Sequence, residues 1–263
     1  MKASREPIAL GVPNPRRTAV AGGRALIGSL WAASLALVAV ISGAPAGAEE
    51  IPPPYYIGRS EAVVIGIAYD ESRIKRVAPA GIQMAPGATG VVIMYRTGDN
   101  YGLPPYSSSW LGLEVEGFDA PGGSKARWML AGLYSPEPVA TALAKHFNYP
   151  TREGSTRIER EGQRVVAVGM MGGREMIRAE LVLKSDPCTR IAGMAHETTR
   201  KPGADTIQLI KIPHLGYWCA AESTKVEIVA PASDPFGQLN PVKVLWGGYF
   251  DGGFGWSAPL VAR

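Results

Sequence analysis

The chain has 263 residues, with 27 Lys and Arg against 23 Asp and Glu and a formal net charge of +4 at pH 7. Five of the basic residues and one acidic residue fall in the first 48, leaving 22 of each sign in the remainder, without the clustered positive surface that nucleic-acid binding requires. The remaining roughly 215 residues suffice for one domain with a substantial core, and no linker divides them.

The first 48 residues read as a cleavable export signal. Lys2, Arg5, Arg16, Arg17 and Arg24 are basic, Ala25 to Ile41 is apolar, and Ala46-Gly47-Ala48 is a small-residue cleavage site. Pro15 to Val20 loosely matches a twin-arginine signal, with an ordinary secretory signal as the alternative. An uncleaved anchor is a third reading, but the apolar run is slightly shorter than the roughly 20 residues that span a bilayer. The expectation is an exported protein, periplasmic or secreted, with residues 49–263 as one domain and no stable membrane span after signal removal.

After a proline-rich entry at Ile51 to Tyr56, short extended runs separated by glycine and proline suit an antiparallel sheet. Strands are expected at Ala62 to Tyr69, Gly90 to Tyr95, Leu111 to Gly117 and Arg127 to Leu133. Further strands are expected at Arg164 to Met170, Met176 to Lys184, Thr206 to Pro213, Lys225 to Ala230 and Val242 to Phe250. A short helix is expected over Asp70 to Val77. A second spans Pro136 to Phe147, with Ser135 as N-cap and Val139, Leu143 and Phe147 at helical spacing.

Glu114 and Glu116 occupy alternate positions of one expected strand and share a face. If that face is inward they are carboxylates available for proton transfer; an outward, solvated face is the alternative. His196-Glu197 in MAHETT reads as a polar loop, with an acid/base pair as the alternative, since one adjacent pair fixes no geometry. The only two cysteines, Cys188 and Cys219, favour a disulfide in an oxidising compartment, with buried free thiols as the alternative. No metal site is expected, because the cysteines lack paired spacing and His146, His196 and His214 are scattered. No cofactor is called for: phosphate-loop, nucleophile-elbow and zinc-helix signatures are missing. Trp246, Tyr249, Phe250, Phe254 and Trp256, interleaved with glycines, either line a flat apolar ligand site or belong to the core and to subunit contacts.

The ordered set PYYIGRSEAVV, YDESRIKRVAPAGIQM, GVVIMY, LAKHFNYPTR and STKVEIVAPASDPFGQLNPVKVLWGGYF resembles segments of the acetoacetate decarboxylase family over nearly all of residues 54–263. The resemblance implies a mainly antiparallel, curved, barrel-like α+β fold that encloses a pocket, few helices, a homo-oligomer and a small-molecule substrate. It also implies a lysine pair after a proline, one lysine forming a Schiff base while the other lowers its pKa. Here Pro150 is followed by Thr151 and Arg152. Threonine forms no imine, and arginine keeps its charge.

The family's Tyr-x-Glu falls at Tyr106 and Ser108, a second glutamate position falls near Val92, and its carboxylate-binding arginine falls beside Arg59. The resemblance places Arg59, Tyr106, Ser108, Tyr149 and Arg152 at a ligand pocket. Lys145, in the last turn of the second helix, is a displaced candidate nucleophile, although a lysine is favoured there by the helix dipole alone. The expectation is a lyase- or isomerase-type protein acting on a small carboxylate or keto/enol compound without a Schiff-base lysine. The alternative is a noncatalytic small-molecule-binding protein on the same fold.

Overall fold

In the computed structural model, which describes residues 51–201, 203–239 and 241–262, alternation in the first long strand sets the architecture. The expected export signal lies outside the described residues. Twelve strands follow in chain order: β1 (Tyr55–Tyr69), β2 (Thr89–Tyr101), β3 (Ser107–Val115), β4 (Ala126–Ser135), β5 (Thr151–Glu153), β6 (Ser155–Glu161), β7 (Arg164–Met171), β8 (Arg174–Leu183), β9 (Thr189–Arg200), β10 (Ile207–Ile228), β11 (Pro241–Trp256) and β12 (Leu260–Val261). Three helices join them: α1 (Glu71–Val77), α2 (Glu137–Phe147) and α3 (Pro235–Gln238).

Strands β1 to β4 form an antiparallel meander. β4 then meets β9 in parallel over only two pairs, Arg127 with Glu197 and Trp128 with Thr198. β9 pairs with β10, β10 with β11, and β11 returns to β1, so seven strands close into a barrel. The second half of β10 leaves the barrel and pairs with β8, which continues through β7 to β6 as an outer layer. The α+β class with a curved, mainly antiparallel, barrel-like sheet and few helices is thus the observed fold.

Because side chains alternate along a strand, each barrel strand serves two environments. Val63, Ile65 and Ile67 of β1 point into a core shared with Ile158, Val165 and Ile177 of the outer layer. Ser60, Ala62 and Val64 point to the barrel interior, where they line a cavity. Fully burying an aliphatic side chain of this size stabilises by about 1.5–3 kcal/mol, so the outer layer fixes the barrel wall from behind.

One end of the barrel is closed by α2, whose Val139, Leu143 and Phe147 are fully buried. The Phe147 ring meets Tyr55 at 5.8 Å and Trp256 at 5.6 Å between centroids. The helix begins one residue later than expected: Pro136, not Ser135, is the N-cap, and no side chain caps it. Asp70, expected inside the first helix, instead caps it, its carboxylate accepting from the Ser72 and Arg73 N–H groups.

Two further differences concern strands. The runs expected at residues 206–213 and 225–230 are parts of the single 22-residue β10. The segment containing MAHETT, expected as a loop, is β9, in which His196, Glu197, Thr198 and Thr199 are all buried. Both faces of β9 are covered by protein here, so its polar residues do not alternate with apolar ones.

Candidate functional site

The barrel interior holds a cavity of about 320 Å³, to which all seven closed strands contribute. Its wall is dominated by aromatic side chains: Tyr95 and Trp110 from the meander, Trp218 from β10, and Trp246, Phe250, Phe254 and Trp256 from β11. The interleaved glycines admit these rings. A Cβ on Gly248 would lie 2.2 Å from the Trp218 ring, so an indole packs directly on backbone there. Of the aromatic set noted in the sequence, Tyr249 alone faces the outer core.

Besides the Tyr95 phenol, three titratable groups of the described residues interrupt the apolar wall: Arg127, Glu197 and His214. Arg127 and Glu197 are direct partners in the short parallel pairing of β4 with β9. The Glu197 carboxylate accepts a hydrogen bond from the Tyr149 hydroxyl, delivered by the segment that follows α2. Glu197 is 3% exposed. Burial pushes its carboxyl up to about 7, against the opposing pull of the Tyr149 hydrogen bond and the Arg127 charge.

Burial also pulls the Arg127 guanidinium down, offset in part by Glu197 and Glu114; arginine nevertheless remains cationic in proteins. Its Nε is buried without a hydrogen-bond partner. His214 is held below its ordinary value by burial, which favours the neutral imidazole. The phenols of Tyr95, Tyr106, Tyr134 and Tyr149 are all pushed up, chiefly by burial and further by the Glu197 charge, so they stay protonated.

A carboxyl group balanced near neutrality is available both as acid and as base, and the adjacent fixed cation is placed to stabilise an anion that forms beside it. Among the described residues no lysine lines the cavity. Among the described residues no group of three His, Cys, Asp or Glu is arranged for a metal ion, and no helix is long and apolar enough to cross a membrane.

The residues expected at the pocket separate into two groups. Tyr149 reaches Glu197, as described. Tyr106 is buried behind the lining, its hydroxyl 3.3 Å from that of Tyr95, and its ring packs near Tyr134 and Trp256. Ser108 is fully buried beside the Tyr95 and Tyr134 hydroxyls.

The others lie elsewhere. Arg59 is exposed, because the strand periodicity that turns Ser60 inward turns its neighbour out. Arg152 makes a two-pronged ion pair with Asp234 at 2.6 and 2.9 Å, and stacks over Phe236 at 5.7 Å. Lys145 is exposed on α2. Glu114 accepts from the Thr89 hydroxyl at 2.6 Å, and Glu116 accepts from the Gln83 amide; neither lines the cavity. His196 is on the other face of β9 from Glu197, its Nδ1 2.8 Å from the Phe118 carbonyl. Cys188 and Cys219 are joined as a disulfide.

The pair that sequence reasoning missed is Arg127 with Glu197. The signal available for Glu197 was the β-branched Thr198-Thr199 that follows it, which favours a strand over a loop. Arg127 opened an expected strand, but nothing in the sequence shows that β9 lies beside it.

No family model and no curated protein matches the sequence. Solved structures do. An acetoacetate decarboxylase superposes with a TM-score of 0.66 at 16% identity, over 84% of this chain and 94% of that one. The acetoacetate decarboxylase of Legionella pneumophila gives 0.66 at 14% identity, over 81% and 88%. The enduracididine biosynthesis enzyme MppR, in complex with pyruvate, gives 0.65 at 14% identity, over 82% and 93%. The fold is acetoacetate decarboxylase-like.

Proposed function

We propose that this is a small-molecule enzyme of lyase or isomerase type that works on a keto/enol compound or carboxylate without a Schiff base. The observation that carries this is Glu197: a buried carboxyl near neutrality, beside a fixed cation, in a cavity that no lysine of the described residues lines. In its ionised form Glu197 removes a proton from the carbon next to a ligand carbonyl. In its protonated form it returns one. Arg127 stabilises the negative charge of the enolate between these steps. Tyr149, donating to Glu197, holds the carboxylate in place. The structural neighbours include decarboxylases and an enzyme solved with pyruvate, consistent with a keto-acid ligand.

Export is part of the same proposal, supported by the basic, apolar and small-residue order of the first 48 residues and by the Cys188–Cys219 disulfide. A homo-oligomer is proposed from the family resemblance alone.

The test is intact-mass analysis after incubation with β-keto and α-keto acids and borohydride, alongside thermal shift and product analysis. Turnover without a trapped adduct supports the proposal, whereas a stoichiometric adduct assigns catalysis to a lysine. The loss of the family lysines also favours a second reading, a binding protein that keeps the cavity alone. In that case ligands raise the melting temperature and are recovered unchanged.

A further inference from the structure

We propose that the ligand is elongated: an aryl-bearing keto acid whose anionic head lies at Arg127 and Glu197 and whose ring lies against Phe250 and Trp218. This rests on the assignment of Arg127 and Glu197 as the polar head of the site. Three observations carry the extension.

The first is the distribution of the lining. On β11 the inward positions run from Trp256 to Trp246, ten residue steps that would span roughly 33 Å if straight. Trp256 belongs to the α2-closed end, where its ring meets Phe147 at 5.6 Å and Tyr149 at 6.2 Å, and Tyr149 holds Glu197. Trp246 is 44% exposed. The charged groups therefore occupy a limited part of a long, aromatic lumen.

The second is continuity. His214 lies between head and tail, with its ring 6.3 Å from that of Phe250. Phe250 is opposite Trp218 in the β10–β11 register. Trp218 meets Trp246 at 6.2 Å, and both also line a neighbouring polar depression that includes Lys184, Glu222 and Thr224. The apolar path from the head groups thus leads, without a charged side chain in the lining beyond His214, to solvent-facing indoles.

The third is volume. At the packing density of protein interiors a four-carbon keto acid fills well under half of a cavity of about 320 Å³ and leaves most of the aromatic wall uncovered. An aryl group in place of a terminal methyl fills that space, and burying it corresponds to roughly 10- to 100-fold in affinity.

The experiment is calorimetric titration of the full mature protein with acetylpyruvate and with benzoylpyruvate, which differ by methyl against phenyl on the same diketo acid head. Benzoylpyruvate is expected to bind at least tenfold more tightly. Phe250→Leu and Trp218→Leu are expected to remove most of that difference, and the native comparison decides if a variant does not fold. Equal affinities for the two ligands overturn the elongated ligand but leave the head site standing. A phenyl preference that both folded variants retain overturns the placement of the ring. If neither ligand binds, the head assignment falls, and this inference with it.

Discussion

Arg127 and Glu197 face each other across the shortest link in the barrel, the two-pair parallel contact between β4 and β9. A charge pair at this seam ties closure of the fold to the chemistry of the cavity. Glu197→Ala removes the only carboxylate that lines the cavity among the described residues, and with it the acceptor for the Tyr149 hydroxyl and one of the two charges that offset Arg127; it is expected to cost about 3–5 kcal/mol. Glu197→Gln also removes the charge but keeps an acceptor for the Tyr149 hydroxyl, so it is expected to cost less. Urea denaturation of the two variants checks this; equal losses would show that the charge, which both variants remove, and not the acceptor for Tyr149 sets the cost.

The raised carboxyl makes stability depend on pH in a defined direction. Burial lifts Glu197 from its ordinary 4.5 to about 7, so the folded protein binds this proton more tightly than the unfolded chain. Its stabilising contribution is complete below about pH 4.5 and is lost as pH rises through about 7. Relative to Glu197→Gln, the native protein is expected to lose about 3 kcal/mol over that window. Paired denaturation curves at several pH values measure it, and a constant difference between the two proteins would contradict it.

Ligand binding has its own pH dependence. A keto-acid anion at the head site adds negative charge beside Glu197, so it favours the protonated carboxyl; His214, kept neutral by burial, does not oppose this. Affinity is expected to weaken above about pH 7 by up to about tenfold per unit, and Glu197→Gln is expected to bind without that dependence. Titration calorimetry across pH 6 to 9 gives the profile.

Arg152 has a structural part instead. Its ion pair with Asp234 lowers the Asp234 carboxyl from its ordinary value, and Asp234 also accepts from the Phe236 N–H as the cap of α3. Arg152→Met is expected to cost about 1–2 kcal/mol, a range suited to a partly exposed, two-pronged pair, and to leave keto-acid affinity unchanged. Weakened binding in a fully folded variant would return Arg152 to the site.

The Cys188–Cys219 bridge closes a separation of 31 residues. Replacing both cysteines by serine is expected to destabilise by about 3–4 kcal/mol on the chain-entropy estimate. Equilibrium unfolding under oxidising conditions checks it.

Most strands and both longer helices were legible because apolar alternation, helical spacing and glycine-proline punctuation are local signals. The barrel followed from the resemblance of five ordered segments. The site was less legible, for two physical reasons. Family register drew attention to Arg59 and Arg152, yet strand alternation turns Arg59 outward and Asp234 takes Arg152. Glu197 was hidden because β9 is covered on both faces and carries polar side chains on each, so no period marks it. Only the long-range pairing of β4 with β9, absent from any local window, brings Arg127 to it.

The most direct measurement is proton NMR of α-hydrogen exchange in D₂O for acetylpyruvate and benzoylpyruvate, with the native protein and with Glu197→Gln at equal ligand occupancy. We expect exchange above the buffer rate with the native protein, and a loss of at least 100-fold in the variant while binding persists, as removal of a general base produces. Equal exchange by both proteins would contradict a role for Glu197 in proton transfer.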